Sequence, residues 1–265
     1  MRGWRASAPR PEGEPEGREV LRTGDTPLKQ EDAVARKTLD EMIAYYRARA
    51  SEYDQWYLRS GRYDRGAAAN AAWFAESQQV FEALDELKMD GAVLELAPGT
   101  GIWTERLVHG ARTLTVVDSS PEMLALNRAR LGALSARVSY VLADLFSWQP
   151  EGTYDGVCFA FWISHVPRDI LGGFLETVAA ALRPRGKLFF VDGCREASST
   201  ACDHRLPAEG EQVTTRLLND GRSFRIVKNF HDPGELAARC AAAGLKVRVR
   251  ETATYFVYGV GERRG

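Results

Sequence analysis

Between Gly91 and Gly193 the chain alternates short, almost wholly apolar runs with stretches of helical period, and this alternation restricts the fold more than any other feature. The apolar runs are AVLEL, LTVVD ending at Asp118, VSYVLA ending at Ala143, YDGVCFAF beginning at Tyr154, and KLFFVDG ending at Gly193. A strand that is apolar on both faces must be covered on both, which is the condition of parallel strands joined by crossover helices. The intervening segments supply such helices. One follows a glycine-rich turn at Thr104, one is PEMLALNRARL with Ser120 as N-cap and Pro121 at its first position, and one is RDILGGFLETVAAAL. Near the C-terminus KVRVRETA and YFVYGV are joined almost without a loop, so they pair antiparallel. The expectation is an α/β fold whose mostly parallel sheet has seven strands and a closing antiparallel hairpin.

The flanking segments differ from this pattern. Residues 1–30 are rich in Pro, Gly, Glu and Arg, lack periodic apolar residues, and read as a flexible arm. One domain is expected over 31–265. Its residues 31–88 form a helical layer in which Tyr46, Tyr53 and Tyr57 share one face, followed after Gly61 by a second helix carrying Trp73, Phe74, Val80, Phe81 and Leu84. Residues 195–231 read as a loop and a hairpin, because EQVTTRLL and SFRIVKNF flank the turn signal NDG. A further helix is expected from about Pro233 to Ala243, closed by Gly244.

Composition narrows the function. Lys and Arg total 35 against 36 Asp and Glu, so no basic excess exists for a nucleic acid partner. No apolar run approaches the roughly 18 residues of a membrane span, and the N-terminus has no apolar signal core. Cytoplasmic localisation is the expectation. The four cysteines are dispersed without a CxxC pair, and Cys194, Cys202, Asp203 and His204 lack zinc-ligand spacing, so no metal is expected.

Chemistry concentrates in VLELAPGTGIWTERL. Glu95 closes a strand, and Gly99 and Gly101 make a tight turn into a helix, where backbone N–H groups face a ligand. The turn is not a dinucleotide GxGxxG, since Thr104 stands where the third glycine belongs. Asp118, at the end of the next strand, is placed to accept both hydroxyls of a ribose, and Asp144, after the third strand, suits an adenine amino group.

Together these segments resemble the class I S-adenosylmethionine-dependent methyltransferases. Glu95-Leu-Ala97-Pro-Gly99-Thr-Gly101 resembles the family's acid-and-glycine motif, with Ala97 in place of its first glycine. Asp118-Ser119-Ser-Pro-Glu-Met123 resembles the ribose-binding segment and Asp144-Leu145 the adenine-binding one. YDGVCFAFWISHVP, which contains Phe161, Trp162 and His165, resembles the fourth-strand motif of members acting on small molecules. LRPRGKLFFVD resembles the turn into the fifth strand, with Arg185 in place of a glycine. AYYRARASEYDQWY resembles the lid helix that closes over the cofactor.

The resemblance implies a Rossmann-like fold with a helical N-terminal lid, and S-adenosylmethionine as cofactor with S-adenosylhomocysteine as product. It implies cofactor contacts from Tyr53, Arg62, Glu95, Ala97, Gly99, Gly101, Asp118, Ser119, Met123, Asp144, Leu145 and Phe161. Tyr46, Tyr57, Trp162 and His204 are expected against a small, partly apolar or aromatic substrate. His165 is the candidate general base for transfer to O or N. Two alternatives stay open: methylation of an alkene or ring carbon, and a scaffold that binds the cofactor without turnover. The aromatic face of the N-terminal helix is costly to leave in water, so it should pack on the catalytic domain or on a neighbouring subunit, and a homo-oligomer formed through it is an expectation.

Overall fold

A computed structural model describes residues 30–265. The arm expected at the N-terminus therefore lies outside the described residues, apart from its last position. Helix α1 (Gln30–Arg49) is interrupted by a 3-10 turn at Ala50–Glu52, resumes as α2 (Tyr53–Tyr57), and is followed by α3 (Ala67–Leu87). Then come β1 (Ala92–Leu96), α4 (Thr104–Gly110), β2 (Thr113–Asp118), α5 (Pro121–Leu131), β3 (Val138–Leu142), β4 (Tyr154–Ala160), α6 (Leu171–Ala181) and β5 (Leu182–Gly193). The chain continues through β6 (Val213–Leu217), β7 (Ser223–Val227), α7 (Pro233–Ala242), β8 (Leu245–Glu251) and β9 (Phe256–Arg263).

The main sheet runs β3-β2-β1-β4-β5-β9-β8. Its first five strands are parallel, and β9 joins β5 antiparallel, with Lys187 opposite Glu262 and Gly193 opposite Phe256. Strand order reverses between β1 and β4, so their carboxyl ends open the crevice where ligands of such sheets bind. Two apolar layers flank the sheet. Trp73, Phe81, Trp103 and Phe189 belong to one, and Leu175, Val178, Phe159 and Phe190 to the other. Local signals act as expected: the Ser120 hydroxyl accepts from Met123 N–H at 3.1 Å to cap α5, and Asp232 accepts from Glu235 N–H at 2.9 Å to cap α7.

A third cluster fixes the N-terminal helix. Leu39, Met42 and Tyr45 recur at helical spacing on α1 and are buried against Leu218, Ile226 and Val227 of the β6–β7 hairpin. Burial of each side chain contributes roughly 1.5–3 kcal/mol, so helix and hairpin form one roof over the sheet. The apolar face of α1 formed by Leu39, Met42 and Tyr45 is thus covered within the chain itself. The break at Ala50–Glu52 also separates the three tyrosines: Tyr46 and Tyr53 remain neighbours at 6.3 Å between ring centroids, whereas Tyr57 turns onto Phe81.

Candidate active site

The turn after β1 is shaped by backbone conformation. Ala97, Gly99 and Gly101 all have positive φ, at 51°, 54° and 95°. Ala97 therefore keeps the left-handed conformation of the glycine it replaces, and Arg185 (φ 62°) does the same before the fifth strand's core. At Gly101 a Cβ would stand 3.0 Å from the Asn127 side chain, so the turn is also sterically closed to larger residues. Asn127 is itself pinned, donating to Thr104 Oγ1 at 2.7 Å and accepting from the Tyr140 hydroxyl at 3.1 Å.

Two buried acids face this turn. Asp118 accepts from the N–H groups of Gly99 at 3.2 Å and Ser120 at 2.9 Å, and burial pushes its pKa up to about 6. Glu95 is buried with Oε2 unpartnered; burial pushes it up to about 8, against a hydrogen bond from Thr104. A buried acid with no cationic partner among the described residues fits a site whose ligand brings hydroxyl donors and positive charge. S-adenosylmethionine brings both, as ribose hydroxyls, a sulfonium and an ammonium. The residues present fit it.

Helix α2 is latched onto the turn. Asp54 of α2 accepts from Thr100 Oγ1 at 2.6 Å and pairs with Arg130, whose Nε donates to Thr100 O at 2.8 Å. The Tyr53 ring lies over Gly99, with carbons 3.8 Å from where a Cβ would stand. Tyr53, Trp56 and Phe161 line a small pocket beside Ala97, Pro98 and Thr100, and the same three line a larger cavity of about 680 Å³, counted out to its mouth. The larger cavity continues past Tyr46, His165 and His204 to Arg49, Arg216 and Lys228.

The chain is similar to known proteins. Residues 93–186 match the family described as "Methyltransferase domain". The structure superposes on DhpI in complex with SAH with TM-score 0.70 at 34% identity, covering 86% of this chain and 98% of DhpI. The complex of DhpI with SAM and HEP gives the same score at 36% identity, covering 85% and 97%. The chain is a class I S-adenosylmethionine-dependent methyltransferase. Its cofactor is S-adenosylmethionine. It is also 29% identical over 196 residues to the ubiquinone biosynthesis O-methyltransferase of Xanthomonas campestris pv. campestris (strain B100), covering 69% of this chain and 78% of that one.

Among the expected site residues of the methyltransferase, Tyr46, Tyr53, Phe161, His165 and His204 are brought together around the cavity. Ala97, Gly99 and Gly101 form the turn, and Glu95 and Asp118 face it from β1 and β2. Met123 and Leu145 are buried and Ser119 is half-buried. Asp144 uses Oδ1 to accept from Phe146 N–H at 3.0 Å, capping its own turn, while Oδ2 lies 3.5 Å from Arg36. Three residues lie elsewhere than expected. Arg62 does not reach the cofactor turn; it is held by Asp203 at 3.0 Å and by Leu217 O, which ties the lid to the hairpin. Trp162 packs on Phe146, with centroids 5.1 Å apart, outside the large cavity. Tyr57 lines only the small pocket. Gly61 precedes Arg62, Phe161 (φ 55°) precedes Trp162, and the 3-10 turn at Ala50–Glu52 lies between Tyr46 and Tyr57; helical or strand periodicity cannot carry across such a break.

Sequence reasoning passed over Asp54, Arg49, Asp192, Arg216 and Lys228. Asp192, at the end of β5, is buried; it accepts from Ser164 N–H at 2.9 Å and pairs with Lys228 at 3.0 Å. Burial opposes its ionisation, yet the Lys228 charge holds its carboxyl below the ordinary value. A legible signal existed for Arg49: it follows Met42 and Tyr45 on the inward face of α1, where a charged residue breaks an apolar period.

His165 has a defined tautomer. Its Nδ1 is 2.6 Å from Val227 O, an acceptor only, so Nδ1 carries the proton, and Nε2 accepts from the Tyr46 hydroxyl at 2.7 Å. Burial, then the Lys228 charge, push its pKa down to about 3, so it is neutral at pH 7.

Proposed function

We propose that this methyltransferase transfers the methyl group to an oxygen of a small molecule held in the large cavity. The observation that carries this reading is the shared wall: Tyr53, Trp56 and Phe161 border both pockets, so a methionine end seated beside Ala97 and Thr100 opens directly onto the acceptor space. Similarity to named O-methyltransferases supports oxygen over nitrogen. Among the described residues no helix is long and apolar enough to cross a membrane.

The cofactor supplies an already activated methyl group, so the chain's own residues act by positioning, by excluding water and by taking a proton. In this reading Tyr46 and His165 form the proton path. The Tyr46 hydroxyl donates to His165 Nε2, which leaves its oxygen free to accept the proton of an acceptor hydroxyl. A base of low pKa suffices here, because a hydroxyl that has gained a methyl cation is a far stronger acid than imidazolium. His204 is held by Leu217 N–H at 3.0 Å and lines the cavity as a fixed polar wall.

The test is release of S-adenosylhomocysteine over a panel of small hydroxyl and amine compounds, with mass spectrometry and NMR locating the new methyl. His165→Ala and Tyr46→Phe should each lower turnover by about 10²–10⁴ without altering cofactor affinity. Activity within about threefold of wild type in both variants removes the pair from the mechanism. A methyl found on carbon replaces the oxygen reading, and cofactor binding without turnover of any compound favours the scaffold.

A further inference from the structure

The large cavity holds more buried positive charge than its acids neutralise. Lys228 is matched by Asp192 and Arg62 by Asp203, but no ion pair joins Arg49 or Arg216 to a carboxylate among the described residues. Both guanidiniums are buried, at 7% and 6% exposure, and both line the cavity. Arg49 is surrounded by tyrosine rings, 4.8 Å from the Tyr53 centroid and 5.6 Å from that of Tyr45, and its Nη2 donates to the Tyr63 hydroxyl at 3.2 Å. Ring faces attract its charge but offer Nε no acceptor, and Nε has no partner. Arg216 directs Nη1 to Arg205 O at 2.9 Å, a neutral acceptor.

A buried cation without a counter-ion is strongly destabilising unless something supplies the opposite charge. The two histidines of the cavity respond to the same field. Burial first, then Lys228 for His165 and Arg216 and Arg62 for His204, hold both neutral, with His204 pushed down to about 4. They therefore cannot add to the positive charge, and the hydroxyls of Tyr45 and Tyr46 are kept un-ionised by burial and cannot offset it.

Resting on the transfer reading above, we infer that the acceptor molecule carries an oxyanion, a carboxylate or a phosphoryl group, which Arg49 and Arg216 bind. The cofactor's own carboxylate is the competing partner. Neither arginine lines the small pocket beside the glycine turn, and none of residues 97–101 lines the cavity that holds the arginines. Guanidiniums suit this task because their planar donors match two oxygens of a carboxylate or phosphoryl group at once.

Calorimetry on protein saturated with S-adenosylhomocysteine tests the inference without any methyl transfer. Inorganic phosphate and acetate are the probes, and chloride controls for ionic strength. One of the two probes should bind saturably to the wild type, phosphate if the acceptor is phosphoryl and acetate if it is a carboxylate. Arg49→Gln and Arg216→Gln should each weaken that binding by about tenfold or more, while S-adenosylhomocysteine affinity stays within about threefold. Circular dichroism verifies folding; if Arg49→Gln does not fold, Arg216→Gln carries the comparison. Absence of saturable binding to the wild type overturns the inference, as does binding unchanged in the folded variants. A collapse of S-adenosylhomocysteine affinity in Arg49→Gln, with no anion bound by the wild type, assigns Arg49 to the cofactor instead. Failure here leaves methyl transfer standing, and a panel without turnover would leave the anion site standing.

Discussion

Replacing Asp118 by Ala removes a buried carboxylate at the end of β2 that has no cation beside it among the described residues. If it accepts the ribose hydroxyls as proposed, loss of charge-assisted hydrogen bonds of that kind costs ~1.5–3 kcal/mol, or about 10–150-fold in Kd. The same oxygens hold the N–H groups of Gly99 and Ser120, so part of any loss comes from a loosened turn. Asp118→Asn separates the two, because an amide keeps one acceptor for the backbone while removing the charge. It should fall between wild type and Asp118→Ala. The pH dependence gives an independent check. Burial raises this carboxyl to about 6, so the free protein loses the acceptor as pH falls through that value. Affinity for S-adenosylhomocysteine should therefore be constant above that pH for this group and weaken below it, by at most about tenfold per pH unit. That step should vanish in Asp118→Asn, which distinguishes it from titration of Glu95 near 8. Isothermal calorimetry from pH 5 to 8 measures all three proteins. A Kd for Asp118→Ala within about threefold of wild type would refute the ribose assignment.

Three further outcomes follow from the geometry. Asp54→Ala unlatches α2 from Thr100 and Arg130 and should weaken cofactor binding by about 3–10-fold; the partly exposed Arg130 pair adds little to stability, but the buried Thr100 hydroxyl loses its acceptor, so stability should fall by about 1 kcal/mol, and calorimetry beside a melting curve reads both. Arg185→Gly should raise stability by about 1 kcal/mol, roughly 2–4 °C in Tm, because an exposed side chain no longer holds φ at 62°; an unchanged or lower Tm refutes the strain. Because the apolar face of α1 is covered by its own hairpin, the chain should run as a monomer in light scattering at micromolar concentration, and a dimer would point to a different surface.

How much of this was legible before the structure depends on the range of the interaction involved. The runs AVLEL, LTVVD and KLFFVDG announce a parallel sheet because side-chain alternation and burial on both faces are properties of the strand itself. The glycine turn, the acids that close β1 and β2, and the Ser120 and Asp232 caps are likewise local, so the sequence by itself determined the sheet, the glycine turn and the N-terminal helices. It could not settle where the lid residues point. The three-residue break after Arg49 rotates Tyr57 away from Tyr46, and the docking of α1 on β7 brings Tyr46 to His165, 119 positions along the chain. The charge of the cavity is also a tertiary matter. Arg49, Arg216 and Lys228 come from α1, β6 and the residue after β7; Arg216 and Lys228 each alone read as ordinary solvated side chains, and only packing of the hairpin over the sheet buries all three together. Local propensity is written in neighbouring residues, whereas burial depends on which distant element arrives to exclude water, and that was decided by the fold.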